Sequence, residues 1–255
     1  PSVDFSELTL PVSFMEDWNL IGLPVMVANS DYAFLFPDAI DNTLYSFNGS
    51  YVSEDMLVTG NGFWLRFENS GSVNITGENI LDQAVNLHEG WNLVSGISQS
   101  VYLNNISDPD ELIIPGTLYD YGEIGYMESW ILEPGKGYWL RTYEAGVITL
   151  TSGALAKTAS RDFSLKGKAN SLTVNGMDLY FGVKMSASDK LSYSLPPKPP
   201  SGAFDIRFKG NTRIMMDKAE IEVMSPYETI TISYDVVLDA GEYMHWVLST
   251  GSGEE

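Results

Sequence analysis

Cysteine is absent from the 255 residues, which excludes disulfides, thiolate metal sites and cysteine nucleophiles. Histidine occurs only twice, at His88 and His245. No H-E-x-x-H, no G-x-S-x-G, no helix-opening G-x-G-x-x-G and no P-loop lysine motif occurs, so zincin, α/β-hydrolase and nucleotide chemistry are unsupported. There is no run of 18 apolar residues, so no membrane span is expected. The N-terminus lacks a charged stretch leading into an apolar one, so any export signal is expected to have been removed already, or the chain is a fragment. Basic side chains are scarce, 14 against 34 acidic, giving a formal charge of −20 that disfavours a nucleic-acid partner. What is present is ordinary for a folded protein: 44% hydrophobic and 12% aromatic residues, enough for a core in one large domain or two to three small ones.

The charge is unevenly spread. Residues 1–155 hold three basic side chains (Arg66, Lys136, Arg141) against 21 acidic ones, while residues 156–255 hold 11 against 13. Such a shift marks a domain boundary. It falls at TSGALAKTAS, around Gly153 to Ser160, small and polar enough to read as a linker.

The acidic part repeats itself. EDWNLIGLPV at 16–25 returns as EGWNLVSGIS at 89–98, so Trp18 matches Trp91. Gly60, Gly62, Trp64, Leu65 and Arg66 match Gly135, Gly137, Trp139, Leu140 and Arg141, and Leu44-Tyr45 matches Leu118-Tyr119. A self-similarity of this period reads as two copies of one supersecondary unit. WNLIGLPV, GFWLRF, SVNITG and their counterparts alternate and are β-branched or aromatic, with NG, PG and SG turns between them. Each unit is therefore expected to be about 70 residues of antiparallel β structure. The two could pack face to face or stand as beads on a string. Helical signals are weak and centre on Ser107–Leu112 and Asn79–Gln83, the former with Ser107 or Asp108 as cap and Pro109 in the first turn.

In G-N-G-F-W and G-K-G-Y-W, paired glycines suit a turn with positive φ or a close backbone approach. Trp18 and Trp91 are expected to be core anchors. Trp64 and Trp139 read as core or as surface platforms, core being favoured. Arg66 and Arg141 are the only arginines of this half. They are candidates for a repeated carboxylate- or sugar-binding site, against the plainer reading of an internal ion pair or cation–π stacking. Asp108, Asp110 and Glu111 form a dense carboxylate run that suggests structural calcium, without EF-hand spacing; the plainer reading is a solvated loop.

Residues 156–255 also alternate. SLTVNGMDLYFGVKM reads as a hairpin turning at Asn175-Gly176, and AFDIRFKGN, AEIEVM, TITISYDVVL and HWVLST read as further strands. The spacing predicts an immunoglobulin-like β-sandwich of about seven strands. The run SLPPKPPSGAF (194–204) has four prolines in five positions, which no central strand tolerates, so it reads as a stiff polyproline crossing.

The pattern WNLIGLPV, LYSFNGSYV, TGNGFWLRF, GSVNITG resembles the β repeat of large exported surface proteins of Bacteroidetes and related bacteria, with Asp17 in place of a usual glycine. LTVNGMDLYFG with PPKPPSGAFDIRF is similar to the β-sandwich that precedes the sorting domain of type IX secretion substrates. The resemblance implies export to the cell surface or medium and carries no catalytic residues. The expected organisation is all-β: unit one at 1–83, unit two at 84–155 and a sandwich at 156–255. The expected role is a non-catalytic spacer, stalk or filament subunit contacting neighbouring domains or identical subunits. The alternative is a glycan- or surface-ligand-binding adhesin module, accessory to a secreted hydrolase, with Trp64, Trp139, Arg66 and Arg141 as its contacts.

Overall fold

The outer strands form where exposed and buried side chains alternate, the central ones are aromatic-rich and buried on both faces, and antiparallel ladders join them. The computed structural model describes residues 7–153, 163, 165–237 and 246–249. The protein is all-β, with only two short α-helices and one 3-10 turn among these residues. In the first unit the strand Asp17–Gly22 pairs with Gly62–Phe67, which continues to the hairpin Tyr45–Phe47 and Tyr51–Ser53 in a four-stranded sheet. Glu7–Phe14 runs antiparallel to Gly71–Asn79 along its whole length. The second unit places Gly90–Ser95 against Gly137–Thr142, then Tyr119–Gly122 and Gly125–Glu128. Its Asp82–Leu87 and Gly146–Thr151 form the outer pair.

The registers match position for position. Trp18 faces Arg66 as Trp91 faces Arg141, and Leu20 faces Trp64 as Leu93 faces Trp139. The rings repeat the geometry: Trp18 to Trp64 and Trp91 to Trp139 are both 6.3 Å and 88° apart. The asparagine of each W-N-L is buried and ties a corner. Asn19 accepts from Met15 N at 2.8 Å and donates to Met15 O at 2.9 Å; Asn92 accepts from His88 N and donates to His88 O, both at 2.9 Å. A buried amide so satisfied fixes the entry of the chain into the strand.

The two units pack face to face, reciprocally. Gly60 and Gly135 take positive φ (83° and 80°) at the turn. Their carbonyls accept from Ser95 N at 3.0 Å and Gly22 N at 3.1 Å of the opposite unit. Gly62 and Gly137 lie against backbone: a Cβ there would meet Val94 O at 2.5 Å and Ile21 O at 2.6 Å. One glycine of each G-x-G thus makes the turn, and the other admits the strand of the facing unit. Across the same seam Trp64 meets Tyr121 and Trp139 meets Phe47, at 4.7 and 4.8 Å, edge to face.

The C-terminal part has five strands among the described residues, against about seven expected. Met177–Phe181, Asn170–Val174 and Ile232–Asp235 form one sheet, and Asp205–Phe208 with Ile221–Met224 the other. Asn175 and Gly176 both have positive φ between Val174 and Met177, which is the mirror-image turn that a two-residue hairpin favours. The stretch 246–249 is not a strand; His245 and most of the linker around 153–160 lie outside the described residues.

Neither expected helix forms. Ser107 is bridged to Thr149, and Asn79 and Asp82–Gln83 belong to strands. The α-helices are Tyr32–Leu35, capped by Asp31, and Ala187–Leu191, capped by Ser186. Each unit keeps a core of its own, around Phe36, Phe63 and Phe67 in the first and Leu118, Tyr138 and Leu140 in the second. A further aromatic cluster spans both units and the C-terminal part, from Trp18, Trp64 and Trp139 to Leu179, Phe204 and Phe208.

Candidate functional site

The inner sheets of the two units present one shared aromatic face, and the proline-rich run lies across it. Proline has no N–H to offer, so the carbonyls of such a run need donors from elsewhere. Side chains of both units supply them. Tyr126 Oη donates to Pro197 O and Tyr51 Oη to Lys198 O, both at 2.7 Å. Trp18 Nε1 donates to Ser201 O at 3.2 Å and Tyr121 Oη to Phe204 O at 3.0 Å. Tyr51 and Tyr126 hold corresponding hairpin positions, opposite Phe47 and Tyr121, so equivalent tyrosines grip adjacent carbonyls at the centre of the run. From behind, Arg207 donates to Pro196 O at 2.6 Å. Arg207 is fully buried, held by two bonds to Asp205 at 2.6 and 2.7 Å, and lies 6.0 Å from the Tyr126 ring.

The two candidate arginines have different partners. Arg66 forms a two-pronged pair with Asp17, at 2.9 and 2.7 Å, over the Trp18 ring at 5.9 Å. Arg141 lies over Trp91 at 5.8 Å, but Gly90 stands where Asp17 stands in the first unit. No carboxylate pairs with Arg141 among the described residues; it donates instead to Ser194 Oγ at 2.6 Å, at the start of the proline-rich run. Burial pulls its guanidinium below the ordinary value. Arg213 adds an ion pair to Glu128 at 2.7 Å and lies between the rings of Tyr119 and Tyr193, at 5.8 and 5.4 Å. The loss of one acid thus converts a repeated internal pair into a contact with the C-terminal part.

Asp17 has φ 66°, a backbone state glycine prefers and Gly90 adopts at 89°. Replacing Asp17 by glycine relieves that backbone but removes a half-exposed ion pair worth about 0.2–1 kcal/mol. The two terms oppose, so Asp17→Gly is expected to change stability by less than about 1 kcal/mol. A thermal melt checks this, and a large loss would give the ion pair a weight that surface pairs rarely have.

Trp64 and Trp139 are fully buried. They serve as core of the shared face rather than as surface platforms, and their indole N–H groups meet no acceptor among the described residues. Asp108 uses both carboxylate oxygens on backbone, accepting from Leu112 N at 2.9 Å and Ile113 N at 3.0 Å, while Asp110 and Glu111 are exposed. Among the described residues no three His, Asp or Glu side chains converge to hold a metal ion. The suggested calcium ligands are therefore a turn closure and two solvated acids, because one carboxylate is spent on its own loop. The sequence signals missed were the tyrosines of the hairpins and the carbonyls of the proline run. Both were visible as residue types; only the fold puts them together.

The chain matches no family model, no curated protein and no solved structure. Among the described residues no helix is long and apolar enough to cross a membrane.

Beside Trp18 the face opens into a cavity of about 370 Å³, walled by Glu16, Asp17, Tyr121, Glu123, Phe204 and Tyr227. Carboxylates and aromatic rings together suit a hydroxyl-rich or cationic group. The buried tyrosines share one electrostatic property. Burial raises the phenol of Tyr119 to about 12 and pushes those of Tyr51, Tyr121, Tyr126 and Tyr138 further above the ordinary 10.0. Above pH 10 the unfolded chain then binds fewer protons than the folded one, so stability falls as pH rises. The loss of stability is expected to start near pH 10, with the tyrosinate absorbance of these five appearing only together with the loss of β signal. Ionisation of all 14 tyrosines before any loss of β signal would contradict the buried arrangement.

Proposed function

We propose that the chain is a non-catalytic structural module, a spacer, stalk or assembly unit, of an exported bacterial surface protein. The observation that carries this reading is the clamp. Donors from two matching β units hold the proline-rich run of the third part, so 7–153 and 165–237 share one aromatic cluster. Parts joined through a common core resist bending at their junctions, as a spacer requires. The conspicuous buried groups, Arg207, Trp64, Trp139 and the tyrosines, are engaged in packing or in holding backbone. Export and a surface location rest on the resemblance of the W-N-L and G-x-G-[FY]-W-L-R repeat. Protease shaving of intact source cells tests this: release of the chain without lysis is expected, and recovery only from the cytosol would refute it.

The alternative, glycan binding, is favoured by one observation, the cavity beside Trp18 with its carboxylates and rings. Glycan-array binding lost in Glu16→Gln or Tyr227→Ala would move the assignment to an adhesin. A blank array leaves the structural reading.

A further inference from the structure

We propose that the shared aromatic face is an exchangeable recognition site for extended proline-rich chain, and that the 194–204 segment of a second copy can fill it in trans. The inference rests on the structural-module reading and says how such modules would join.

Three observations carry it. First, the contact has the chemistry of polyproline recognition: aromatic side chains line the seat, and their polar tips donate to carbonyls that proline leaves unpaired. Tyr126, Tyr51, Trp18 and Tyr121 reach Pro197, Lys198, Ser201 and Phe204 in chain order. Every one of these bonds goes to main-chain oxygen, so the seat reads the shape of the run, and any copy carries the same ligand.

Second, among the described residues every hydrogen bond between the C-terminal part and the two units involves a side chain. Among the described residues every ladder and bridge of 165–237 is made within that part, and no main-chain hydrogen bond joins it to 7–153. An element attached without shared strands can be supplied by another molecule with the same contacts, which is the condition for swapping.

Third, the cores are separable. The first and second units each have an apolar cluster without C-terminal residues, and the C-terminal part has one around Phe163, Tyr180, Tyr193 and Ile214. Among the described residues the shared cluster is the one that the exchange divides. Giving and receiving surfaces differ, so trans filling yields either a closed reciprocal dimer or an open chain of modules.

The natural absence of cysteine makes the test clean. Ser53→Cys, exposed and on the same strand face as Tyr51, and Lys198→Cys are made in the full chain, together and separately. With both in one chain, a short thiol-reactive cross-linker is expected to close an internal link. The two single variants are then mixed, co-refolded at high concentration and cross-linked. The expected result is a cross-linked dimer whose yield falls on the order of tenfold when Tyr51→Phe and Tyr126→Phe are added, since each removes one hydrogen bond but keeps the ring. No dimer product, despite an efficient internal link, overturns the proposal. So does a dimer product indifferent to both tyrosine changes, or failure of the internal link itself. None of these outcomes bears on where the protein resides, so the surface-location test remains independent.

Discussion

Replacing Gly137 by alanine is expected to destabilise the protein by about 3 kcal/mol or more, because overpacking against backbone cannot be relieved by a rotamer change. The added Cβ would sit 2.6 Å from Ile21 O and 3.1 Å from Ile21 N, within the strand of the opposite unit. Gly62→Ala is its counterpart, with Val94 O at 2.5 Å and Val94 N at 3.2 Å, and should cost a similar amount. Relief would require the two units to separate, which breaks the bonds from Gly22 N to Gly135 O and from Ser95 N to Gly60 O. For a chain of this size the loss corresponds to a fall in melting temperature of roughly 6–12 °C. Calorimetry reads it directly, and a shift of a degree or two would mean that the units do not meet at the G-x-G turns.

The second large effect lies under the proline run. Asp205 and Arg207 are both buried, at 1% and 0% exposure, and joined by two bonds. Asp205→Ala leaves an unpaired cation in the core, an arrangement that typically costs about 3–5 kcal/mol. Arg207→Leu leaves the converse, a buried carboxylate, and also removes the donor to Pro196 O and to Asn211 Oδ1 at 2.9 Å. Replacing both together, Asp205→Ala with Arg207→Leu, removes the charges as a pair. It is expected to cost less than either single change, since the charge penalty disappears while the loss at Pro196 remains. Urea unfolding of the three variants checks this. Additive single-site losses would mean that the pair is not the buried unit described.

The strands were legible because alternation is local. W-N-L, the aromatic strand after G-x-G and the Asn175-Gly176 hairpin each carry their structure within a few residues. The helix expected at Ser107–Leu112 failed for a local reason too. Asp108 does cap backbone N–H groups, but those of Leu112 and Ile113 in a turn, while Ser107 pairs with Thr149. The site was less legible. Trp18 finds Ser201 across 183 positions and Tyr51 finds Lys198 across 147. No periodicity reports a partner at that distance. Reading Trp64, Trp139, Arg66 and Arg141 as one repeated set also hid the difference that matters. The set diverges at Asp17 and Gly90, a mismatch within the matched segments 16–25 and 89–98, and that divergence sends Arg141 to Ser194.

Both units and the C-terminal part fold around one shared aromatic cluster held by the proline clamp. Differential scanning calorimetry of the full chain tests it most directly. One cooperative transition is expected, with equal calorimetric and van't Hoff enthalpies. Two or three resolved transitions, the C-terminal part melting apart from the units, would contradict it.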